Sequence, residues 1–242
     1  MIKKTNFTHG IKMKKKILVI ACHPDDETLG CGGYFDKYKD KYKFKVIFLA
    51  EGSSCRYKDK IKNKIKINKD IAIRKKSALR ALKLFSIKDV LFFNHTCGQL
   101  NKVPQTKINK IIENQIKDFK PSIIFTHSNK DLNLDHQTIF KSVLVATRPT
   151  VIKNIVNEIY SFEILSSTEW NYSNKFQPNY FIELSKKNLM KKWRALKYYK
   201  TEIQKKPYPR SFFGIETLAK YRGLQSGSIY AEGYELIRKF IK

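Results

Sequence analysis

Short apolar runs alternate with longer amphipathic stretches along most of this chain. KILVIA (16–21), KFKVIFLAEG (43–52), DVLFFN (89–94) and PSIIFTH (121–127) are rich in β-branched and aromatic residues and read as strands. NEIYSFEIL (157–165) and NYFIEL (179–184) repeat that character. Between them the apolar positions change to helical spacing. Helices are predicted over 26–39, 61–85, 106–117, 134–146 and 186–204. The third carries Ile108, Ile111, Ile112 and Ile116 on one face, and the last carries Leu189, Trp193, Leu196 and Tyr199. Strands alternating with helices predict an α/β fold, Rossmann-like, with a mostly parallel sheet and helices on both faces.

In such sheets ligands bind beyond the carboxyl ends of the strands. The loops after the first four strands are therefore expected to converge. They read CHPDDE, EGSSCR, NHTCGQ and THSNKDLNLDH, and hold His23, His95, His127 and His136, four of the five histidines.

Composition narrows the setting. At 242 residues, with 42% hydrophobic and 13% aromatic content, the chain is long enough to bury one full core. Residues 13–242 are expected to form one domain, starting near MKKKILVI. Residues 1–12 are expected to be an extension outside the fold. No apolar run approaches the ~20 residues of a membrane span. The N-terminus lacks a secretory core and cleavage site, so the expected location is cytoplasmic. The four cysteines form no CxxC pair, which argues against a disulfide framework or a cysteine-rich zinc site.

The balance of 49 Lys+Arg against 21 Asp+Glu gives +28, a field that attracts polyanions. The lysines are dispersed, however, and no nucleic-acid signature accompanies them. A solvated lysine-rich surface is the reading adopted, with no specific nucleic-acid partner. An acidic small substrate is a milder use of the same field.

The chemistry concentrates in two loops. Pro24 after the first strand starts a turn into a helix, so His23 sits at the strand end and Asp26 in the first helical turn. Together they offer one nitrogen and one carboxylate oxygen to a common point. Catalytic zinc sites take three protein ligands and keep an open position, and His136 in DLNLDH supplies the third. Asp25 is then a general base for water. Gly30, Gly32 and Gly33 suit close approach of helix to sheet.

Plainer readings exist for each stretch. HPDD is also a turn with helix-favouring carboxylates. DLNLDH is also an N-cap region, with Asp131, Asn133 or Asp135 as the cap. An EF-hand is excluded, because His136 takes the glycine position and Ser142 the bidentate position. A dinucleotide site is disfavoured by the absent GxGxxG spacing and by the acidic cluster.

The pairing of ACHPDDE with DLNLDH resembles the PIG-L/LmbE-like zinc-dependent N-deacetylases, which act on N-acetylglucosamine-type substrates. RKKSALRALKLFSIKDVLFF and the C-terminal ALKYYKTEIQKKPYPRS extend the resemblance, towards a bacterial branch of sugar and surface-polysaccharide pathways. It implies Zn2+ held by His23, Asp26 and His136, with Asp25 as base and Asp135 as a group orienting a ligand. It also implies that Arg74 holds substrate hydroxyls.

Some positions depart from that pattern. Asn133 stands where a histidine aids the oxyanion or leaving amine. It can donate a hydrogen bond but cannot act as an acid. His127 is then an alternative acid, with a polar strand-end histidine as its plain reading. His95, Cys97 or Gln99 stands where an acidic sugar-binding residue is expected, Ser77 replaces a glutamate, and Tyr208 replaces a histidine. The expected activity is hydrolysis of the acetamide of an N-acetylated amino sugar, free or nucleotide- or lipid-linked. The alternatives are deacylation of another small amide, such as an N-acyl cysteine-linked sugar conjugate, and a non-catalytic binder of anionic glycan or nucleic acid.

Overall fold

The computed structural model describes residues 14–149 and 156–241. The expected extension at 1–12 lies outside the described residues. β1 (Lys16–Ala21) leads through His23 and Pro24 into α1 (Asp26–Tyr38), and β2 (Lys43–Ala50) follows. Next come α2 (Lys64–Lys83), β3 (Asp89–His95), α3 (Gln105–Phe119), β4 (Ile123–His127) and α4 (Leu134–Ala146). β5 (Glu158–Phe162), β6 (Tyr180–Glu183), α5 (Lys186–Leu196), α6 (Phe212–Ser226) and β7 (Ala231–Lys239) complete the order.

The seven strands form one sheet in the order β3-β2-β1-β4-β5-β7-β6. Strands β1 to β5 pair in parallel, while β7 runs antiparallel to both β5 and β6. The sheet is thus mostly parallel, as the alternating pattern requires.

β1 is buried from Ile17 onward on both faces, which explains its unbroken apolar run. Ile17 and Val19 join Leu29, Ala78, Leu189 and Ile215 from α1, α2, α5 and α6. Leu18 and Ile20 point the other way, into Ile108, Ile112, Ile139 and Val143 of α3 and α4. A period of two along the strand therefore feeds two separate cores.

The glycines of α1 serve close packing. A Cβ on Gly30 would lie 2.5 Å from the Phe162 ring, and one on Gly33 would lie 2.5 Å from Leu184. Helix α1 approaches β5 and the start of α5 only because these side chains are missing.

Two expectations are corrected. The last predicted helix was drawn to residue 204, but α5 ends at Leu196. The following turns insert Tyr199 and Glu202 into the interior, where they bind Glu27 and Arg74. The sequence pattern also missed α6 and β7. β7 lies inside the sheet although it carries two glutamates. Glu232 accepts from the Gly33 and Tyr34 amides and from Lys192, and Glu235 accepts from Lys130. Paired carboxylates of this kind tolerate burial.

Candidate active site

The loops after β1 and β4 meet at the carboxyl ends of their strands. Asp26 Oδ2 is the point of convergence. His23 Nδ1 lies 3.4 Å from it, His136 Nε2 3.4 Å, and His127 Nε2 3.5 Å. All four residues are buried, and neither ring nitrogen of His136 makes a hydrogen bond of good geometry.

Bonds of ~2.1 Å at tetrahedral angles separate neighbouring donors by ~3.4 Å. The two measured edges at Asp26 match that spacing for His23 Nδ1 and His136 Nε2, and donor atoms of Asp26, His127 and His136 also lie within 4.8 Å of one another. His127 is geometrically close, but its Nε2 accepts the Cys22 amide at 2.8 Å. That lone pair is already used, which leaves His23 as the better third donor.

The other nitrogen of each histidine faces a carboxylate, an arrangement common in metal-binding imidazoles. His136 Nδ1 lies 3.1 Å from Asp131 Oδ2. Asp131 is itself held by Thr168 Oγ1 at 2.6 Å and by the Ser167 hydroxyl. His23 Nε2 lies 3.5 Å from Asp135 Oδ2, whose carboxylate also accepts from the amides of Gly98 and Leu100. Asp135 thus orients His23 and ties α4 to the loop after β3, while Asp131 orients His136. The sequence alone offers Asp131 as a helix cap or as the start of the rejected calcium loop, not as a partner of His136.

The electrostatics follow this geometry. Burial alone would raise the Asp26 carboxyl, but His136 and His127 hold it well below its usual range. Burial would lower His136, yet Asp26 and Asp131 push it up to about 9. His127 is pressed down to about 3 by burial and by His136, whose ring stacks on it at 3.8 Å. A neutral, fully buried His127 that accepts a backbone amide is poorly placed to protonate a leaving group.

Asp25 occupies the turn between the ligands, with φ 138°. Its amide donates to Glu27 Oε2 at 2.9 Å, and Glu27 in turn accepts from the hydroxyls of Thr28 and Tyr199. The Asp25 carboxylate lies between two guanidiniums. Arg74 Nη2 is 3.0 Å from Oδ1, and Arg210 Nη1 is 2.7 Å from Oδ2. Burial raises Asp25 to about 6 against the lowering influence of both arginines.

Arg74 also donates to Pro24 O, Gly52 O and Glu202. A guanidinium has five N–H donors, and most of these are engaged by protein. Glu202 also binds Arg56 through both oxygens.

The remaining expected residues are distributed as follows. Asn133 caps α4, its side-chain oxygen accepting from the Asp135 amide at 2.9 Å, and it is half-buried. His95 ends β3 and its carbonyl accepts from the Glu51 amide, but its side chain makes none of the cluster's contacts. Cys97 does reach the cluster, with Sγ 3.4 Å from His23 Nε2 and 2.9 Å from Cys55 Sγ. All four cysteines are free.

Arg210 and Glu202 escaped the sequence reading, and Asp131 and Glu27 were given no role at the site there. Glu27 was visible as the last letter of HPDDE. Arg210 lies in PYPRS, where attention went to Tyr208. No spacing rule links either Arg210 or Glu202 to Asp25.

Known proteins resemble this chain in sequence and in fold. Residues 18–147 match the PIG-L family model, described as GlcNAc-PI de-N-acetylase. An uncharacterized deacetylase of Escherichia coli K12, YaiS, is 25% identical over 194 residues, covering 78% of this chain and 92% of that one. The fold is shared with N,N'-diacetylchitobiose deacetylase from Pyrococcus horikoshii, with a TM-score of 0.72 at 20% identity, over 96% of this chain and 87% of that one. It is shared equally with GalB, a 4-carboxy-2-hydroxymuconate hydratase from Pseudomonas putida, with a TM-score of 0.73 at 19% identity, over 94% and 98% of the two chains. Fold alone therefore does not choose the reaction. The family match covers more than half of the chain and includes both loops that build the site. The chain belongs to the PIG-L family of GlcNAc-PI de-N-acetylases and is by class a hydrolytic N-deacetylase.

Proposed function

We propose that this protein removes acetate from an N-acetylated amino sugar, using a zinc ion held by His23, Asp26 and His136. One observation supports this above the others. His23 Nδ1 and His136 Nε2 each lie 3.4 Å from Asp26 Oδ2, the spacing of neighbouring tetrahedral donors, directly beside a carboxylate that two arginines hold in place. When bound, the ion supplies Lewis acidity towards the acetamide carbonyl and the attacking water.

The chain's own groups do the rest. Asp25 accepts the proton of the attacking water and returns one to the leaving amine. A carboxyl raised to about 6 suits both transfers near neutral pH. Asn133 uses its oxygen as a helix cap, so its amide N–H groups remain to donate to the oxyanion. Arg74 and Arg210 position Asp25.

Among the described residues no helix is long and apolar enough to cross a membrane. A cytoplasmic step in bacterial surface-polysaccharide synthesis is part of this proposal.

The test is acetate release from a panel of N-acetylated amino sugars by metal-loaded and chelator-treated protein, with bound metal measured in parallel. About one equivalent of zinc with zinc-dependent acetate release is the expected result. Zinc-independent turnover, or metal binding without acetate release from any member, would overturn it. The hydratase neighbour makes addition of water to a double bond the competing chemistry, and that reaction releases no acetate.

A further inference from the structure

The catalytic cluster is closed. His23 is 6% exposed, and Asp25, Asp26 and His136 are each 1% exposed. Beside it lies an open cleft of about 260 Å³ between α2 and the turns after α5. The two share Arg74, which lines the cleft while its Nη2 lies 3.0 Å from Asp25 Oδ1. Ser53, from the loop after β2, lines it as well.

The cleft is built from one helical face. Ile73, Lys76, Ser77 and Arg80 recur at helical spacing along α2, with Tyr198 and Lys200 opposite. Its cations fall into two groups. Arg56 and Arg74 share the Glu202 carboxylate, and Arg74 is also paired with Asp25. Lys76, Arg80 and Lys200 make no ion pair among the described residues. The one acid in the lining, Asp70, accepts from Tyr57.

A chain of +28 has cations on every face, so charge alone is weak evidence. What distinguishes this cleft is three unpaired cations around a concave volume whose wall contains a residue that holds the base. Clefts lined by one sign of charge concentrate ligands of the opposite sign. Of the hydroxyls in the lining, Ser77 already donates to Ile73 O and Thr201 to Glu202, so Ser53 adds the one hydroxyl donor to the three cations.

We propose that this cleft is a phosphoryl subsite, so that the acetylated sugar bears a phosphate or diphosphate which Lys76, Arg80 and Lys200 hold. The inference rests on the deacetylase reading of the neighbouring site. It adds the chemical class of the substrate's non-reacting part.

Two measurements test it. The first is calorimetric binding of inorganic pyrophosphate to the zinc-loaded protein and to a K76A/R80A/K200A variant. A control variant, K107A/K110A/K117A, removes the same charge from α3 on the opposite face of the sheet. Pyrophosphate binding that falls ~10-fold or more in the cleft variant, and not in the control, is the expected result. The second is kcat/KM at low salt for N-acetylglucosamine, its 1-phosphate, its UDP conjugate and a micellar prenyl-diphosphate conjugate. At least one phosphorylated form should exceed the neutral sugar by ~10-fold or more, and the cleft variant should remove that advantage. The preferred conjugate identifies the source of the phosphoryl group.

Equal pyrophosphate binding by parent and cleft variant, or equal turnover of neutral and phosphorylated sugars, overturns the subsite. If the cleft variant loses pyrophosphate but no sugar releases acetate, the subsite stands and the deacetylase reading falls.

Discussion

Arg210 places Nη1 2.7 Å from Asp25 Oδ2 across 185 residues of chain. Its Nε is anchored on Ser166 Oγ at 2.7 Å and Leu165 O at 3.1 Å. The candidate base is therefore held both by Arg74 within residues 18–147, the segment that the family model matches, and by Arg210 outside it.

The first prediction concerns this contact. Asp25 must be ionised to accept a proton, so activity rises with pH through its pKa. Burial raises that pKa to about 6, and Arg74 and Arg210 oppose the rise. Removing Arg210 raises it further, so in Arg210→Gln the acid limb of kcat against pH moves upward. An opposite charge at this range shifts a carboxyl by ~1 unit or more, so activity near pH 6 should fall ~10-fold and partly recover by pH 8. Arg210→Lys keeps the charge and should stay closer to the parent. An acid limb in Arg210→Gln that matches the parent's would show that Arg210 does not set the proton affinity of Asp25.

The second prediction separates the two orienting carboxylates. Asp131 faces His136 Nδ1 at 3.1 Å and Asp135 faces His23 Nε2 at 3.5 Å. Loss of such a partner costs ~10–100-fold in metal affinity. Asp131→Asn and Asp135→Asn should each weaken zinc by that order in a competitive chelator titration. Asp135→Ala should also lower thermal stability more than Asp131→Asn does, because Asp135 accepts from two loop amides. Unchanged zinc affinity in both Asn variants would refute the orienting roles.

How much of this was legible beforehand depends on the range of the interaction. β1, α4 and the four converging loops follow from local patterning, and HPDD with DLNLDH announces its chemistry by residue type. The helix end at Leu196 was not legible, because the chain leaves the helix to bring Tyr199 and Glu202 to partners far upstream. β7 was hidden because Glu232 and Glu235 break its apolar alternation, and their partners lie on α1, α5 and the loop after β4. Cys55 and Cys97 meet although 42 residues separate them, a spacing no cysteine motif uses. Local pattern pointed to the candidate ligands and the candidate base. The contacts that orient them are long-range and appear only once the sheet is assembled.

The third prediction concerns Glu27. It accepts the Asp25 amide and so supports a backbone at φ 138°, a conformation costing ~1–3 kcal/mol for a non-glycine residue. Glu27→Ala should keep zinc and lose ~10²-fold in kcat, the scale of a misplaced catalytic group. Glu27→Gln can still accept from the Asp25 amide and donate to the hydroxyls of Tyr199 and Thr28, so it should remain active. It should also change the pH profile of stability. Burial pushes Glu27 up to about 7 from 4.5, so the folded state favours its protonated form. That contribution is complete below about pH 4.5 and is lost as pH rises through about 7. The parent should therefore lose stability relative to Glu27→Gln across this window, by on the order of 3 kcal/mol. Parallel stability curves for the two proteins would contradict the assignment.

The last prediction separates neighbours in HPDD. Asp25→Asn is nearly isosteric, and its amide N–H still reaches Glu27, so the turn survives. Asn cannot accept a proton from water, and loss of a general base costs ~10²–10⁴-fold. This variant should bind zinc as the parent does and turn over slowly. Asp26→Asn removes an anionic oxygen from the point where His23 and His136 converge. It also removes the charge that pushes His136 up to about 9. In the metal-free protein that histidine should therefore titrate lower in Asp26→Asn than in the parent, a change that NMR of the imidazole detects without any turnover. Zinc content of Asp26→Asn should fall, and its residual activity should follow zinc occupancy. The two variants are thus distinguished by metal content at matched activity loss. A zinc-poor Asp25→Asn beside a zinc-replete Asp26→Asn would reverse the two roles, and full activity in both would remove the chemistry from this turn altogether.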